Sequence, residues 1–294
     1  MSVKLPSRLS YSSLSSYAEC GERWRLERLH HVTSSTWWAT IAGSAVHTIT
    51  EAFDLGKPLP DFELTLAANE AEAKGRGQEI KASGKVLKNH GIEGGPNKKD
   101  RDWWLIRGPE MVQAYIDWRA LTKWEIPTMP DGAPAIEVRV PAQFAGRDQL
   151  GFIDRVFILP DGRVLIVDLK TGNLPSTRLQ LGTYAVALRK LWGIDADVGT
   201  FWLGKTGDIV TPLTDLTQYS EEFVDHQFEM AWRGIEAGVF LPSPSSMCRG
   251  CSVHEFCRAM GGRKGVTIPI EDVLTRPQAA DVEAREAAAG AVAA

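Results

Sequence analysis

The sequence holds no run near the ~20 consecutive apolar residues of a membrane-spanning helix. Its first residues also lack the pattern of a signal peptide. The expectation is a soluble, cytoplasmic protein without membrane contact. Positive charge is not in excess: 33 Lys and Arg stand against 37 Asp and Glu, a net charge of −4. Any contact with nucleic acid must then come from a local patch, not from the overall field. No Gly-x4-Gly-Lys-Ser/Thr segment occurs, so the chain lacks the phosphate-cradling loop of an NTP-driven motor. Cysteine is scarce, four residues in all. Disulfides are disfavoured in a reducing compartment, which leaves ligation as the usual reason for cysteines to cluster. Apolar residues are not scarce. With 44% hydrophobic content and 10 Trp, 294 residues can bury one large core or two modest ones.

The most informative stretch runs from Gly151 to Thr171, GFIDRVFILPDGRVLIVDLKT. Two β-rich runs flank Pro160-Asp161-Gly162, which is strong turn chemistry and predicts a hairpin with glycine at the left-handed position. Pairing Leu159 with Arg163 sets partners whose numbers sum to 322 and places Asp154 across from Asp168. Cβ atoms of opposed residues lie ~5 Å apart, where like charges repel. Lys170, two residues beyond Asp168, shares its face. Two such carboxylates suit a hard cation, Mg²⁺ or Mn²⁺, and the lysine can hold a water or steady an oxyanion. The plainer alternative is a solvated face where the acids pair with Arg155, Arg163 or Lys170.

Cys248, Cys251 and Cys257 form C-x2-C-x5-C, and Cys20 stands alone near the other end. The four could fill one tetrahedral site or one cubane cluster. His254 could instead complete a local zinc set with the C-terminal three.

Serines 10, 12 and 13 open a helix carrying Leu14, Tyr17, Cys20, Trp24 and Leu26. Arg23, Arg25 and Arg28 are candidate phosphate contacts, with solvent the simpler role. A second helix spans the region of Ile41 to Phe53, where His47 and Glu51 share a face. Helices surround a basic interruption at 85–101. Between Lys74 and Arg101 eight Lys and Arg face three acids, either a nucleic-acid patch or a solvated insert. Trp103, Trp104, Met111, Tyr115 and Trp118 recur at helical spacing as core. Residues 135–144 alternate as a strand, with Glu137 either approaching the metal or, more simply, pairing with Arg139. A helix from Leu179 places Gln180 and Tyr184 four apart. A second hairpin spans 197–212, and a long helix spans 221–240.

Taken together, Cys20, Gly43-x3-His47, Gly-x-Ile-Asp154, Asp168-Leu-Lys170-Thr-Gly, Gln180-x3-Tyr184 and the cysteine trio resemble, in order, the RecB-like iron–sulfur branch of the PD-(D/E)XK nucleases. CRISPR-associated exonucleases and AddB-type subunits belong to that branch. Gly21 departs from the proline that follows the first cysteine in the family. The resemblance implies an α/β fold with a mixed central sheet flanked by helices and an iron–sulfur lobe joining the N-terminal helix to the C-terminal segment. It implies His47, Asp154 and Asp168 as metal ligands, Lys170 as the catalytic lysine, Gln180 and Tyr184 as positioning groups, and Cys20, Cys248, Cys251 and Cys257 as ligands of a 4Fe-4S cluster. The expected parts are an N-terminal helix (1–35), a nuclease core (36–240) with a basic insert at about 60–125, a cluster segment (241–263) and a mobile tail (264–294). The implied activity is Mg²⁺- or Mn²⁺-dependent DNA exonuclease action, chiefly on single-stranded ends, in recombination, repair, or phage or CRISPR DNA processing. A helicase or recombination partner would supply unwinding. The alternatives are a non-catalytic DNA-binding or assembly subunit and a zinc-stapled protein of unrelated chemistry.

Overall fold

The computed structural model describes residues 2–33, 35–84, 92–93 and 95–275. In chain order its elements are β1 (Ser2–Lys4), α1 (Tyr11–Glu19), α2 (Gly21–Arg28), β2 (Ser35–Trp37), α3 (Trp38–Asp54), α4 (Phe62–Gly75), β3 (Glu79–Lys81) and α5 (Arg101–Thr122). There follow β4 (Ile136–Phe144), β5 (Arg147–Ile158), β6 (Val164–Lys170), α6 (Leu179–Trp192), β7 (Val198–Leu203), β8 (Asp208–Ile209), β9 (Thr214–Asp215), α7 (Glu221–Glu236) and β10 (Val273–Thr275). The fold is mixed α/β, as the sequence leads one to expect.

The chain divides into two compact units, one of residues 35–141 with 151–221, the other of residues 1–34, 142–150 and 222–294. The first unit is built on a mixed sheet in the order β4-β5-β6-β7-β8, with β9 also on β7. The β5–β6 pair is antiparallel with Arg155 opposite Val167 and Ile158 opposite Val164, the register expected from the turn. Leu159 N donates to Arg163 O at 2.9 Å, and Gly162 takes φ +86° in the turn, where a Cβ would be strained. From β6 the chain crosses through α6 to the parallel strand β7, the connection parallel strands require. Gly193, at φ +66°, ends α6 as a left-handed cap.

Helices α3, α4 and α5 pack around Trp38, Val46, Ile49, Leu66, Trp103, Trp104 and Met111. Phe62 of α4 seats its ring against Gly108 of α5, where a Cβ would fall 1.9 Å from the ring. Tyr115 and Trp118 pack with Phe157, Leu165, Val167 and Trp202 under the sheet. The five aromatic and Met positions expected on α5 are all buried. Short strands β2 and β3 pair in parallel. Part of the expected basic insert, 85–91 and 94, lies outside the described residues.

In the second unit the expected single N-terminal helix is two. Cys20 has extended backbone, φ −162° and ψ 103°, and is at once the C-cap of α1 and the N-cap of α2. Ser10 caps α1 by accepting from Ser13 N at 3.2 Å. Tyr17, Trp24 and Phe240 pack edge-on and stacked. Arg25 faces neither phosphate nor solvent: it is buried and paired with Glu22 at 2.7 Å and Asp272 at 2.9 Å. Within the stretch expected as a tail, β10 pairs in parallel with β1. Residues 276–294 lie outside the described residues.

Candidate active site

Asp154 on β5 and Asp168 on β6 sit where the register leads, one step beyond the Arg155–Val167 pair. Both are buried, 8% and 2% exposed, so the face is not solvated, although the Asp168–Lys170 pair of the plainer alternative does form. Arg155, next to Asp154 on β5, is fully enclosed. Its Nε donates to Asp54 Oδ2 at 2.6 Å, and Asp54 also accepts from Tyr115 Oη at 2.6 Å and Arg119 Nε at 3.1 Å. Arg155 is thus engaged by two carboxylates, Asp54 and, through Nη1 at 3.2 Å, Glu137.

Asp154 Oδ2 accepts from the backbone N of Leu169 at 2.6 Å, which leaves Oδ1 facing His47 Nδ1 of α3 at 3.6 Å. His47, Glu137 and Asp154 bring one ligand atom each to within 4.8 Å of one another, an acidic site able to hold a cation. Glu137 therefore does not pair with Arg139. Its backbone is left-handed, φ +48°, and its carboxylate is held by Arg155 Nη1 at 3.2 Å. A strained non-glycine backbone re-aims a side chain that simple alternation would place elsewhere.

Asp168 Oδ2 meets Lys170 Nζ at 2.5 Å, and its Oδ1 accepts from Gln180 Nε2 at 2.8 Å. Gln180 Nε2 also donates to Tyr184 Oη at 3.0 Å, while Lys170 Nζ donates to Gln180 Oε1 at 3.3 Å. One turn of α6 thus fixes both the second acid and the lysine. Burial pushes the Asp168 carboxyl up to about 7, with Asp154 adding to the rise and Lys170 opposing it. Burial likewise raises Glu137 to about 7, helped by Asp154 and opposed by Arg155. Tyr184 is raised well above its ordinary value by burial and then by Asp168, so it stays a neutral hydroxyl. Carboxyls held this high by burial and mutual repulsion mark a place where an added cation is favoured.

These groups line a cavity of about 740 Å³ whose other wall is one face of α3: Thr40, Gly43, Ser44, His47, Thr48 and Glu51. Gly43 lets α3 approach β6 closely, since a Cβ there would lie 2.7 Å from Thr171 Oγ1. His47, Asp154, Asp168, Lys170, Gln180 and Tyr184 are all brought together here. The Arg155–Asp54 support was missed, because its partners lie 101 positions apart and no local pattern joins them.

The four cysteines fall in the other unit, none in a disulfide and all half-buried. Each sulfur faces backbone N–H groups: Cys20 takes Arg23 N at 3.5 Å and Ser243 N at 3.4 Å, and Cys248 takes Ser245 N at 3.2 Å. Val253 N serves Cys251, while Ala259 N and Met260 N serve Cys257. Burial is the larger influence and raises the Cys251 and Cys257 thiols above their ordinary range, with these donors opposing the rise. Among the described residues no three of these sulfurs lie within 4.8 Å of one another. Tetrahedral zinc, with Zn–S ~2.3 Å, would need them about 3.8 Å apart. His254 Nδ1 lies 3.0 Å from Cys248 O.

The family model of the PD-(D/E)XK nuclease superfamily matches residues 8–258. The chain is 30% identical over 275 residues to the Gene 69 protein of Mycobacterium phage D29, covering 87% of this chain and 97% of that protein. It is 29% identical over 299 residues to the Gene 69 protein of Mycobacterium phage L5, covering 86% and 96%. A solved structure of a candidate exonuclease from Eubacterium rectale aligns with 14% identity and TM-score 0.48 over 83% of this chain and 87% of that one.

Proposed function

The chain belongs to the PD-(D/E)XK nuclease superfamily, and from that premise we propose a Mg²⁺- or Mn²⁺-dependent DNA exonuclease acting on single-stranded ends. The observation that carries this reading is the pair of buried carboxylates, Asp154 and Asp168, joined by Lys170 on one side and His47 on the other. The donor set fits a hard divalent cation: carboxylate oxygens from Asp154 and Glu137 with the His47 imidazole lie within 4.8 Å of one another, and Asp168, held by Lys170 and Gln180, lines the same cavity. A cation bound there would set positive charge against the scissile phosphate and acidify a water molecule.

The remaining work belongs to the protein's own groups. Lys170 Nζ, anchored by Asp168 and Gln180, presents its N–H groups to the cavity and can orient the attacking water or steady charge on a phosphate oxygen. Gln180 and the neutral Tyr184 hold Asp168 in one orientation. Hydrolysis adds the water oxygen to phosphorus and breaks the bond to the leaving sugar oxygen, which takes up a proton.

Among the described residues no three of the Cys20, Cys248, Cys251 and Cys257 sulfurs lie within 4.8 Å of one another, and this spacing supports a 4Fe-4S cluster over zinc. A cubane takes one thiolate at each of four separate irons and so accepts sulfurs set wider than one tetrahedral ion does. Such a cluster would serve a structural role, tying Cys20 to the C-terminal trio. The decisive experiment compares end-labelled linear and covalently circular single-stranded DNA incubated with Mn²⁺. Loss of the linear strand with the circle intact is the expected result. Cleavage of circles at an equal rate would make the protein an endonuclease, and cleavage of neither would remove the reading.

A further inference from the structure

A second cleft opens in the same unit, between α5 and the turn that joins β7 to β8, with a volume of about 380 Å³. Its lining includes Lys99, Trp103, Arg107, Met111, Gly204 and Lys205. Three cations converge on it, and among the described residues that line it one acid answers them: Glu110, already paired with Arg107 at 2.6 Å. Lys205 Nζ donates to the neutral Asn173 Oδ1 at 2.7 Å. Lys99 Nζ rests over the Trp103 ring, 4.9 Å from its centroid. Partial burial, and then repulsion from Lys205 and Arg107, lowers the Lys99 ammonium below its ordinary range. Like charges gathered in a concave groove repel one another, and an anion placed among them relieves that repulsion.

The walls of the groove are also closely packed, and it lies next to the catalytic cavity. Gly204 and Gly207 lie so close to α5 that a Cβ would fall 2.9 Å from Met111 Sδ and 2.9 Å from Ala114 Cβ respectively. The turn begins beside Lys170, which is in register with Leu203 and accepts from Gly204 N at 2.9 Å. Asn173, the partner of Lys205, lines the catalytic cavity itself.

We infer that this cleft is a secondary phosphate subsite, in which Lys99 and Lys205 hold the backbone of the DNA strand while a neighbouring phosphodiester occupies the Asp154–Asp168 site. The inference rests on the nuclease reading of that site. The ligand is the phosphodiester of a continuous strand, not a free nucleotide. Backbone phosphates paired with ammonium groups give affinity without base preference and a steep dependence on salt.

The test uses the full chain and a fluorescein-labelled single-stranded 20-mer in Ca²⁺ buffer, with anisotropy titrations at several salt concentrations. The double variant Lys99→Ala/Lys205→Ala is expected to bind about tenfold more weakly. Its log–log salt slope should be shallower by about 1.4, at ~0.7 per lost phosphate contact on a single strand. Lys99→Arg/Lys205→Arg should restore both. Hydrolysis of thymidine 5′-p-nitrophenyl phosphate with Mn²⁺, which fills only the catalytic cavity, should be unchanged in the Ala variant. Equal affinity and slope in the Ala variant, or no binding of the 20-mer by the unaltered chain, overturns the subsite. An equal loss of thymidine 5′-monophosphate binding overturns it in favour of a free-nucleotide site. If the variant loses DNA affinity as expected but the unaltered chain cleaves no DNA, the nuclease reading fails and the strand subsite stands.

Discussion

Asp154 and Asp168 oppose one another in a buried sheet, and removing either charge should relieve repulsion while it destroys the cation site. Asp168→Asn and Asp154→Asn are expected to abolish DNA cleavage and to melt at the same temperature as the parent or above it. A variant that cleaves at the normal rate would dismiss the pair. Lys170→Ala should lose most of kcat with a smaller change in DNA affinity, measured by single-turnover kinetics and binding. The raised carboxyls also dictate a pH dependence. Folding lifts Asp168 and Glu137 from the ordinary range near 4 to about 7. The folded state therefore binds protons more tightly than the unfolded chain, and stability of the cation-free protein falls as pH rises between about 4 and 7. In chelator, Tm should decline from pH 5 to pH 8, and Mn²⁺ should raise it more at pH 8 than at pH 5. A chelated Tm that is flat or rising across that window would contradict the burial of these groups.

At the level of elements, α3 is both a core helix and a wall of the cavity, and Gly43 is where the two roles meet. Alanine there improves helix propensity by ~1 kcal/mol, yet its methyl forces the Thr171 hydroxyl, 2.7 Å away, to turn aside. Gly43→Ala should melt no lower than the parent and cleave DNA several-fold more slowly; a lower Tm would mean that Gly43 serves packing alone. Much of this architecture could be read from local chemistry. The Pro-Asp-Gly turn carried the β5–β6 register, and the aromatic spacing of α5 carried its buried face. What escaped was long-range or non-standard. Asp54 and Arg155 meet across 101 positions. Glu137's approach to the site is one of two alternatives that the sequence leaves open, and the left-handed backbone that brings it there is not something alternation foresees. The break between α1 and α2 depends on the Cys20 sulfur accepting an N–H, a weak cap outside the usual Ser, Thr, Asp and Asn. Strands β1 and β10, three residues each, are too short to show periodicity.

Across the whole molecule, the cysteines divide the hypotheses most sharply. A local zinc knuckle of Cys248, Cys251, Cys257 and His254 would be indifferent to Cys20→Ser. A four-thiolate cluster would lose the ligand that closes a loop of more than 200 residues. Closing so long a loop restrains the unfolded chain by several kcal/mol on the cross-link model, about 4 to 5 for ~100 residues or more. Cys20→Ser should bleach the purified protein and lower its Tm markedly, whereas His254→Ala should do neither. Full metal content and an unchanged melting temperature in Cys20→Ser would discard the cluster and leave the nuclease assignment, which rests on other residues.

The unit that holds these cysteines is assembled from residues 1–34, 142–150 and 222–294, and this sets a timetable during synthesis. The unit bearing Asp154 and Asp168 has all its residues once position 221 has been made. Residues 2–4 and Cys20, made first, must wait for β10 at 273–275 and for Cys248 to Cys257. At ~5 to 20 residues per second that wait is on the order of 10 to 50 s. For that interval α1 and α2 stand on the ribosome without their partners, with Cys20 open to oxidation or to a cluster-delivery protein. Ribosome-bound chains arrested well beyond residue 221 should therefore resist protease within 35–221 while residues 1–34 remain cleavable and become protected only after release.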